Sequence, residues 1–331
     1  MVLTLSEVWK AQQNLKGVVR STPLFYTDTF SEACGCNLYL KCENKQKTGS
    51  FKLRGAYNKV ASLTDEEKER GVIASSAGNH AQGVAYAATA FGVKATIVMP
   101  LTAPAAKVAA TKGYGAKVVQ AGQIYDECYA KALEVQKETG ATFLHPFDDL
   151  HVMAGQGTIG LEILEDLSET DVVVVPVGGG GLIAGVSTAL KSLKPSVRVI
   201  GVQAEVIASS KASLEKGEVV TLTGAKSLAD GIAVATPGTL CFKSMQKYVD
   251  EIVTVTEDEI SFAIFSLMQR GKLLAEGAGA TPLAALLSGK IKDIEGKNVV
   301  AMVSGGNIDI TTVGKIIDKE VAKSTEYELC G

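Results

Sequence analysis

Short hydrophobic segments rich in β-branched residues alternate along the chain with amphipathic segments. The first series of strand-like segments lies at 71–74, 95–99, 116–119 and 141–144. Helices are predicted to begin near Asn79, Pro104 and Ile124. Such alternation is typical of α/β folds with parallel sheets. The pattern therefore predicts a compact four-stranded unit in this part of the chain.

A second series of hydrophobic segments follows in the C-terminal half. Its strand-like segments lie at 171–175, 196–200, 251–254 and 298–303. The N-terminal arm begins with the spacing of a helix capping box, Thr4 with Glu7, and reaches a further strand-like segment at 37–41. We therefore predict a second parallel sheet from this series.

The composition is that of an ordinary globular chain. Its 331 residues contain 33 Lys and Arg against 36 Asp and Glu, a net charge of only −3. Because no long run of like charge occurs, neither nucleic acid nor an anionic membrane surface is an expected partner. The longest apolar runs, such as 172–175, are too short to span a bilayer, and no basic-then-apolar leader is visible at the start. We expect a cytoplasmic protein that acts on a small substrate.

Cysteine and histidine show no metal-binding spacing. Six cysteines occur, at positions 34, 36, 42, 128, 241 and 330. The first three are close in sequence, but no second pair or histidine lies near them to complete a ligand set. We expect free thiols and no bound metal.

Lys52 is the first residue with candidate chemistry. A turn at Thr48-Gly49-Ser50 precedes it, and Phe51-Lys52-Leu53 opens a predicted helix, which places an amine between apolar neighbours and near Lys47 and Arg54. Desolvation and nearby positive charge both lower a lysine pKa. A lowered pKa makes the free amine available as a Schiff-base nucleophile. An isolated lysine is more often a solvated surface charge.

A glycine run follows the most hydrophobic strand. Gly178, Gly179, Gly180 and Gly181 lie between that strand and a helix that begins near Leu182, where backbone N–H groups can hold a phosphate. The same segment fits a dinucleotide fingerprint, with Glu205 as the acidic residue for a ribose. An NAD-dependent oxidoreductase or a non-catalytic nucleotide-binding module are therefore alternatives.

Three further motifs have both a structural and a functional interpretation. The segment Ser75, Ser76, Ala77, Gly78, Asn79 and His80 either caps a helix or binds a carboxylate on its loop amides. The segment 304–307 (Ser-Gly-Gly-Asn) closes the last strand, where open α/β sheets place ligands, and is otherwise a plain turn. Glu276 either caps the following helix or faces a substrate.

Taken together, these motifs resemble the active site of fold type II pyridoxal-phosphate enzymes, the tryptophan-synthase-β type. Within that group the chain is most similar to the short catabolic threonine dehydratases, and the resemblance covers nearly its whole length. It implies an α/β fold of two parallel-sheet αβα domains with the cofactor between them. Residues 1–48 and 149–331 would form the large cofactor-binding domain, and residues 49–148 a small inserted domain.

The resemblance also implies roles for the motif residues. Lys52 would carry pyridoxal 5'-phosphate, the glycine run would bind its phosphate, Asn79 would donate to its phenolic oxygen, and the Ser304 hydroxyl would contact its pyridine nitrogen. Glu276 would face the substrate. The implied cofactor-binding set is Phe51, Lys52, Asn79, Gly178, Gly179, Gly180, Gly181, Leu182 and Ser304. The implied substrate-binding set is Ser75, Ser76, Ala77, Gly78, Asn79 and His80.

The activity implied is β-elimination, from L-threonine to 2-oxobutanoate and ammonia and from L-serine to pyruvate. Serine racemase is the competing activity within the family. Racemases carry a serine where this chain has Ala77, and acidic ligands of the eukaryotic racemase metal site align with Gln203 and Ser209. A homodimer or homotetramer is expected, with AMP as a candidate effector. The chain leaves no room for an amino-acid-sensing domain after the catalytic fold, so isoleucine feedback is not expected.

Overall fold

The computed structural model describes residues 2–223 and 226–329. Within them the strands form two sheets. The larger has six strands in the order β1-β2-β10-β7-β8-β9, and all neighbours are parallel except the antiparallel pair β1–β2. Its strands are β1 (Leu24–Tyr26), β2 (Asn37–Cys42), β7 (Val172–Pro176), β8 (Arg198–Ala204), β9 (Glu251–Val255) and β10 (Asn298–Val303).

The smaller sheet is fully parallel, in the order β5-β4-β3-β6. Its strands are β3 (Val72–Ser75), β4 (Ala95–Met99), β5 (Lys117–Gln120) and β6 (Thr142–Phe143). All four lie within 49–148, whereas every strand of the larger sheet lies outside that segment.

The helices pack on both faces of these sheets. They are α1 (Leu5–Leu15), α2 (Asp28–Cys34), α3 (Lys52–Ala61), α4 (Asp65–Arg70), α5 (Asn79–Ala90), α6 (Ala105–Gly113), α7 (Tyr125–Thr139), α8 (Leu150–Asp166), α9 (Gly181–Leu193), α10 (Ser209–Lys216), α11 (Thr239–Tyr248), α12 (Glu257–Gln269), α13 (Gly277–Leu287) and α14 (Ile310–Leu329). Short 3₁₀ turns lie at Glu43–Lys45, Glu205–Ile207 and Asp230–Ile232.

The valine run of β7 shows how the larger sheet is buried. Val172 and Val174 belong to one core cluster, which includes residues of α12 and α13. Val173 and Val175 belong to another, which includes residues of α8 and α9. Because successive side chains of a strand point to opposite faces, a strand covered on both sides must be apolar at every position. The parallel α/β class predicted from the sequence is confirmed.

Every strand predicted from the hydrophobic pattern is present, with ends shifted by a few residues. The capping box is also present: the Thr4 hydroxyl accepts the Glu7 N–H, and the Glu7 carboxylate accepts the Thr4 N–H at 2.8 Å. The edge strand β1 was not predicted. Five of the six cysteines are free thiols; Cys330 lies outside the described residues.

No helix among the described residues is long and apolar enough to cross a membrane.

Candidate active site

A cavity of about 870 Å³ lies where the carboxyl ends of strands from both sheets meet. Ser75 at the end of β3, Pro176 at the end of β7 and Ser304 directly after β10 all line it. This is the position at which open parallel sheets bind ligands. All the site residues predicted from the sequence line this cavity, namely Phe51, Lys52, Ser75, Ser76, Ala77, Gly78, Asn79, His80, Gly178, Gly179, Gly180, Gly181, Leu182, Glu276 and Ser304.

Lys52 is the first residue of α3, and its side chain is partly buried in the cavity wall. Its Nζ donates a hydrogen bond of 2.8 Å to the Pro146 carbonyl and lies 5.3 Å from the centre of the Phe51 ring. Burial lowers the pKa of Lys52 to about 8, although Cys241 and Glu276 act in the opposite direction. The amine is therefore poised for nucleophilic or base chemistry near neutral pH.

The predicted contribution of flanking cations to this pKa is wrong, because Arg54 belongs to a separate buried network. The Arg54 guanidinium is fully buried and binds both oxygens of Glu43, at 2.9 and 2.8 Å. It also binds both oxygens of Glu162, at 2.6 and 2.9 Å. Lys41, also fully buried, joins Glu162 at 2.8 Å. These bonds tie α3 to α8 and to the segment that follows β2.

The glycine run forms a loop of exposed backbone donors. Among the described residues, the N–H groups of Gly179, Gly180, Gly181 and Leu182 have no hydrogen-bond acceptor. Gly180 has a φ of +98°, a conformation that favours glycine. Unpaired N–H groups at a helix N-terminus attract an anion, here at the start of α9. The loop therefore has free donors for an anionic group such as a phosphate.

The segment 75–80 does not cap α5 with a side chain. Its N-cap is Gly78, and the Ser76 hydroxyl instead accepts the Gly78 N–H at 3.2 Å. Within the described chain, the N–H groups of Ala77, Asn79 and His80 have no acceptor, and the buried Ser75 hydroxyl has no partner. The loop therefore retains the donors that a carboxylate needs; it contains the N-cap residue of α5, but no side chain caps that helix.

The imidazole of His80 is buried and hydrogen-bonded behind this loop. Its Nε2 donates to the Leu144 carbonyl at 2.8 Å. Burial, with the nearby Lys52 charge, lowers the pKa of His80 to about 3. The imidazole is therefore neutral at physiological pH, and its hydrogen bond joins the start of α5 to the end of β6.

Glu276 is the N-cap residue of α13, but its side chain makes no capping bond. Its Oε1 accepts instead from Asn79 Nδ2 at 2.6 Å. Burial and the nearby Asp230 together raise the pKa of Glu276 to about 7, against the lowering effect of the bond from Asn79. Asn79 Oδ1 in turn accepts from Asn307 Nδ2 at 2.7 Å. A chain of three side chains thus crosses from α5 to the loop after β10.

Two features of the cavity were missed by sequence reasoning. His145 lines it, and its Nδ1 accepts the N–H groups of Phe147 and Asp148, at 3.3 and 2.8 Å. Lys107 of α6 and Asp230 lie among the lining residues and form an ion pair of 3.6 Å. His145 follows β6, so the same rule that identified Ser304 could have found it; nothing local indicates the ion pair.

The structure gives little support to the alternative dinucleotide site or to a metal site at Gln203 and Ser209. Glu205 is exposed and does not line the cavity, so it cannot serve as the ribose ligand of a dinucleotide bound there. Gln203 Oε1 accepts the Lys211 N–H at 2.9 Å, and the Ser209 hydroxyl donates to the Val234 carbonyl at 2.6 Å. Across residues 2–223 and 226–329, no group of three or more His, Cys, Asp or Glu could hold a metal ion.

Comparison with known proteins gives one consistent result. Residues 15–305 match the family described as pyridoxal-phosphate dependent enzyme. The L-threonine ammonia-lyase of Thermotoga maritima is 56% identical over 98% of this chain and 80% of its own. The structure of maize serine racemase has a TM-score of 0.92 at 34% identity, covering 98% of this chain and 100% of its own. The processed threonine deaminase isoform 2 of Solanum lycopersicum has a TM-score of 0.88 at 40% identity, covering 95% of this chain and 93% of its own. The chain therefore belongs to the pyridoxal-phosphate dependent enzymes of fold type II.

Proposed function

We propose that this protein is a dehydratase that converts L-threonine to 2-oxobutanoate and ammonia, and L-serine to pyruvate and ammonia. The proposal rests on the amine of Lys52, which lines the cavity and has a lowered pKa. The loop 75–80, which would bind the substrate, presents only the methyl group of Ala77 to the same cavity. The 56% identity to the L-threonine ammonia-lyase of Thermotoga maritima supports the same reaction.

The residues present fit the cofactor. Lys52 would bind it covalently, the N–H groups of Gly179 to Leu182 would hold its phosphate, and Ser304 would contact its ring nitrogen. When bound, pyridoxal 5'-phosphate withdraws electrons from the amino acid and acidifies its Cα–H bond. A neutral hydroxyl such as that of Ser304 does not hold a ring nitrogen protonated as a carboxylate would, which moderates this withdrawal. A moderate electron sink suits elimination.

The other residues would bind the substrate and move its protons. The N–H groups of Ala77, Asn79 and His80 are free to bind the substrate carboxylate. Lys52 would be released from the cofactor when the substrate amine replaces it. Its free amine, with a pKa of about 8, is partly unprotonated near neutral pH and would then take the Cα proton. The bond between Cβ and the hydroxyl oxygen then breaks, and the hydroxyl leaves as water with one added proton, which balances the proton that Lys52 takes from Cα. The unsaturated amine that remains tautomerises and is hydrolysed to the 2-oxo acid and ammonia.

Serine racemase is the second candidate, favoured by the TM-score of 0.92 to the maize enzyme. Racemisation needs a proton donor on the face of Cα opposite the base. Ala77, on the loop that would bind the substrate, supplies only a methyl group. The dehydratase is therefore the better supported proposal.

Product analysis tests the proposal. We expect the wild type to convert L-threonine to 2-oxobutanoate and L-serine to pyruvate, with D-serine a trace product. Ala77→Ser should raise the D-serine share by a small factor, because it adds a hydroxyl where a racemase needs an acid. Ala103→Ser adds a hydroxyl elsewhere in the same cavity wall and should not. Chiral chromatography measures the ratio, and abundant D-serine from the wild type would overturn the proposal.

Three wider features belong to the proposal. The strands of the two sheets support a large domain of residues 1–48 and 149–331 and a small inserted domain of residues 49–148. The protein would form a homodimer or a homotetramer, and AMP would be an effector. Sedimentation with and without the nucleotide tests both statements. A cytoplasmic location is tested by cell fractionation.

A further inference from the structure

Three side chains form a continuous hydrogen-bonded chain at one end of the cavity. Asn307 Nδ2 donates to Asn79 Oδ1 at 2.7 Å, and Asn79 Nδ2 donates to Glu276 Oε1 at 2.6 Å. The chain begins at the backbone, since Asn307 Nδ2 also donates to the Thr48 carbonyl at 2.8 Å. Asn79 begins a helix beside the smaller sheet, whereas Glu276 and Asn307 lie in loops of the larger one.

The backbone end of this chain fixes its direction. A carbonyl oxygen only accepts, so the group of Asn307 that faces Thr48 must be its NH₂. The second hydrogen of the same NH₂ points to Asn79, which must therefore present its oxygen to Asn307. The remaining NH₂ of Asn79 then faces Glu276. The carboxyl end could not fix this order, because the pKa of Glu276 is raised to about 7 and a protonated carboxyl group can donate as well as accept.

Packing holds the Asn307 amide in place. Gly49 has a φ of +74°, and a Cβ added to it would lie 2.4 Å from Asn307 Oδ1. The Gly49 carbonyl accepts the Gly306 N–H at 2.9 Å, which brings the two loops together. Only a glycine leaves room for the amide to lie against this turn. The turn at Gly49 therefore both precedes the helix that begins at Lys52 and leaves room for the Asn307 amide.

We propose that Asn307 is a positioning residue that sets the orientation of the Asn79 amide. One hydrogen of the Asn79 NH₂ goes to Glu276, and the second is then the hydrogen-bond donor presented to the cofactor. This inference rests on the proposed site, in which Asn79 contacts the phenolic oxygen of pyridoxal 5'-phosphate. A donor at that oxygen stabilises its ionised form. An Asn79 amide turned by 180° would present an acceptor instead and would favour the protonated oxygen.

Asn307→Asp tests the proposal with almost no change of shape. A carboxylate at position 307 cannot donate to the Thr48 carbonyl or to Asn79 Oδ1, so the Asn79 amide should reverse to remove the clash of acceptors. We expect the absorbance of the bound cofactor to move from the violet towards the near ultraviolet at neutral pH. Cofactor affinity should fall about 10- to 100-fold, the size expected for a lost hydrogen bond to a charged group.

Asn44→Asp is the matched control. Asn44 Nδ2 donates to the Leu274 carbonyl at 2.9 Å in a neighbouring loop, so the substitution removes the same kind of bond and adds the same charge. We expect its spectrum to equal that of the wild type. Asn307→Ala, which adds no charge, should shift the spectrum in the same direction as Asn307→Asp by a smaller amount, and it covers the case in which Asn307→Asp does not fold.

The inference is overturned if both Asn307 variants keep the wild-type band and cofactor affinity, or if Asn44→Asp shifts the band equally. The spectrum requires only the cofactor and no substrate. A wild type that shows the violet band but makes no 2-oxo acid from threonine would therefore refute the dehydratase proposal and leave the role of Asn307 to be judged by its own variants.

Discussion

Lys52 and Arg54 are two residues apart on α3, yet their charges meet opposite surroundings. The Lys52 amine lies in the cavity wall, where its described hydrogen bond goes to a backbone carbonyl, and its pKa is lowered to about 8. The Arg54 guanidinium lies between Glu43 and Glu162, whose charges raise its pKa although burial opposes them. One turn of helix thus holds a reactive cation and a structural one.

This difference shows that burial alone does not decide whether the pKa of a cationic side chain is lowered or raised. Removing a cation from water favours its neutral form unless carboxylates replace the lost solvation. Among the described residues, no carboxylate forms an ion pair with Lys52, and the Glu276 carboxylate influences its pKa only at longer range. In the buried network, each carboxylate binds the guanidinium through two oxygens. The two residues therefore differ because Arg54 is paired with carboxylates and Lys52 is not, rather than because one is buried more deeply than the other.

The largest effect is expected for Lys52→Ala. Loss of the amine removes both the cofactor link and the base, so kcat for threonine should fall by about 10³-fold or more. Borohydride reduction followed by peptide mapping should place the pyridoxyl group on Lys52 in the wild type and nowhere in the variant. Lys47→Ala, which removes a cation close in sequence, should keep most activity. An adduct on another lysine would refute the assignment of Lys52.

Arg54→Ala should mainly destabilise the fold. It leaves the fully buried Glu43 without its cationic partner, and breaking such a buried ion pair costs about 3–5 kcal/mol. Lys59→Ala is the control on the same helix: its bond of 2.6 Å to Asp149 is partly exposed and should contribute about 1 kcal/mol or less. Denaturant unfolding of the cofactor-free protein measures both. Equal losses would show that the network does not stabilise α3 as described.

The smallest effect is expected in the pH dependence of stability, through Glu276. The folded protein holds this proton up to about pH 7, whereas the unfolded chain releases it near 4.5. A raised carboxyl pKa gives stability that is present at low pH and lost as the pH rises through this window. Against Glu276→Gln, the cofactor-free wild type should lose an amount on the order of 3 kcal/mol between these limits. Parallel curves for the two proteins would contradict the raised pKa.

The strands could be predicted because burial leaves a local signature. The run at Val172–Pro176 is apolar at every position, and sheets covered on both faces require this. β1 was missed because Leu24–Tyr26 is only three residues long, too short for any periodicity to show. β8 extends to Ala204, beyond the predicted end, because its pairing with β9 continues there.

The site was predictable as a set of motifs but not as a set of contacts. Glycine and serine at strand ends identified the glycine run and Ser304, which line the cavity, without any knowledge of distance. The bond between Asn79 and Glu276 joins residues 197 positions apart, and no local pattern encodes such a pairing. The error at Arg54 arose because residues two apart on a helix point in different directions. The prediction assumed that the charges of Lys52 and Arg54 lie close together in space because the two residues are close in sequence.

The order of strands in the larger sheet has a consequence for biosynthesis. Its strand β10 lies between β2 and β7, although β2 is made some 260 residues earlier. The strands of the smaller sheet all lie between Val72 and Phe143, so that sheet can form while the ribosome is still extending the chain. Until β10 emerges, β2 and β7 leave the gap between them unfilled, and such long-range pairing is slow. Ser304 follows β10 and lines the cavity, so the cavity is completed only after β10 has been made.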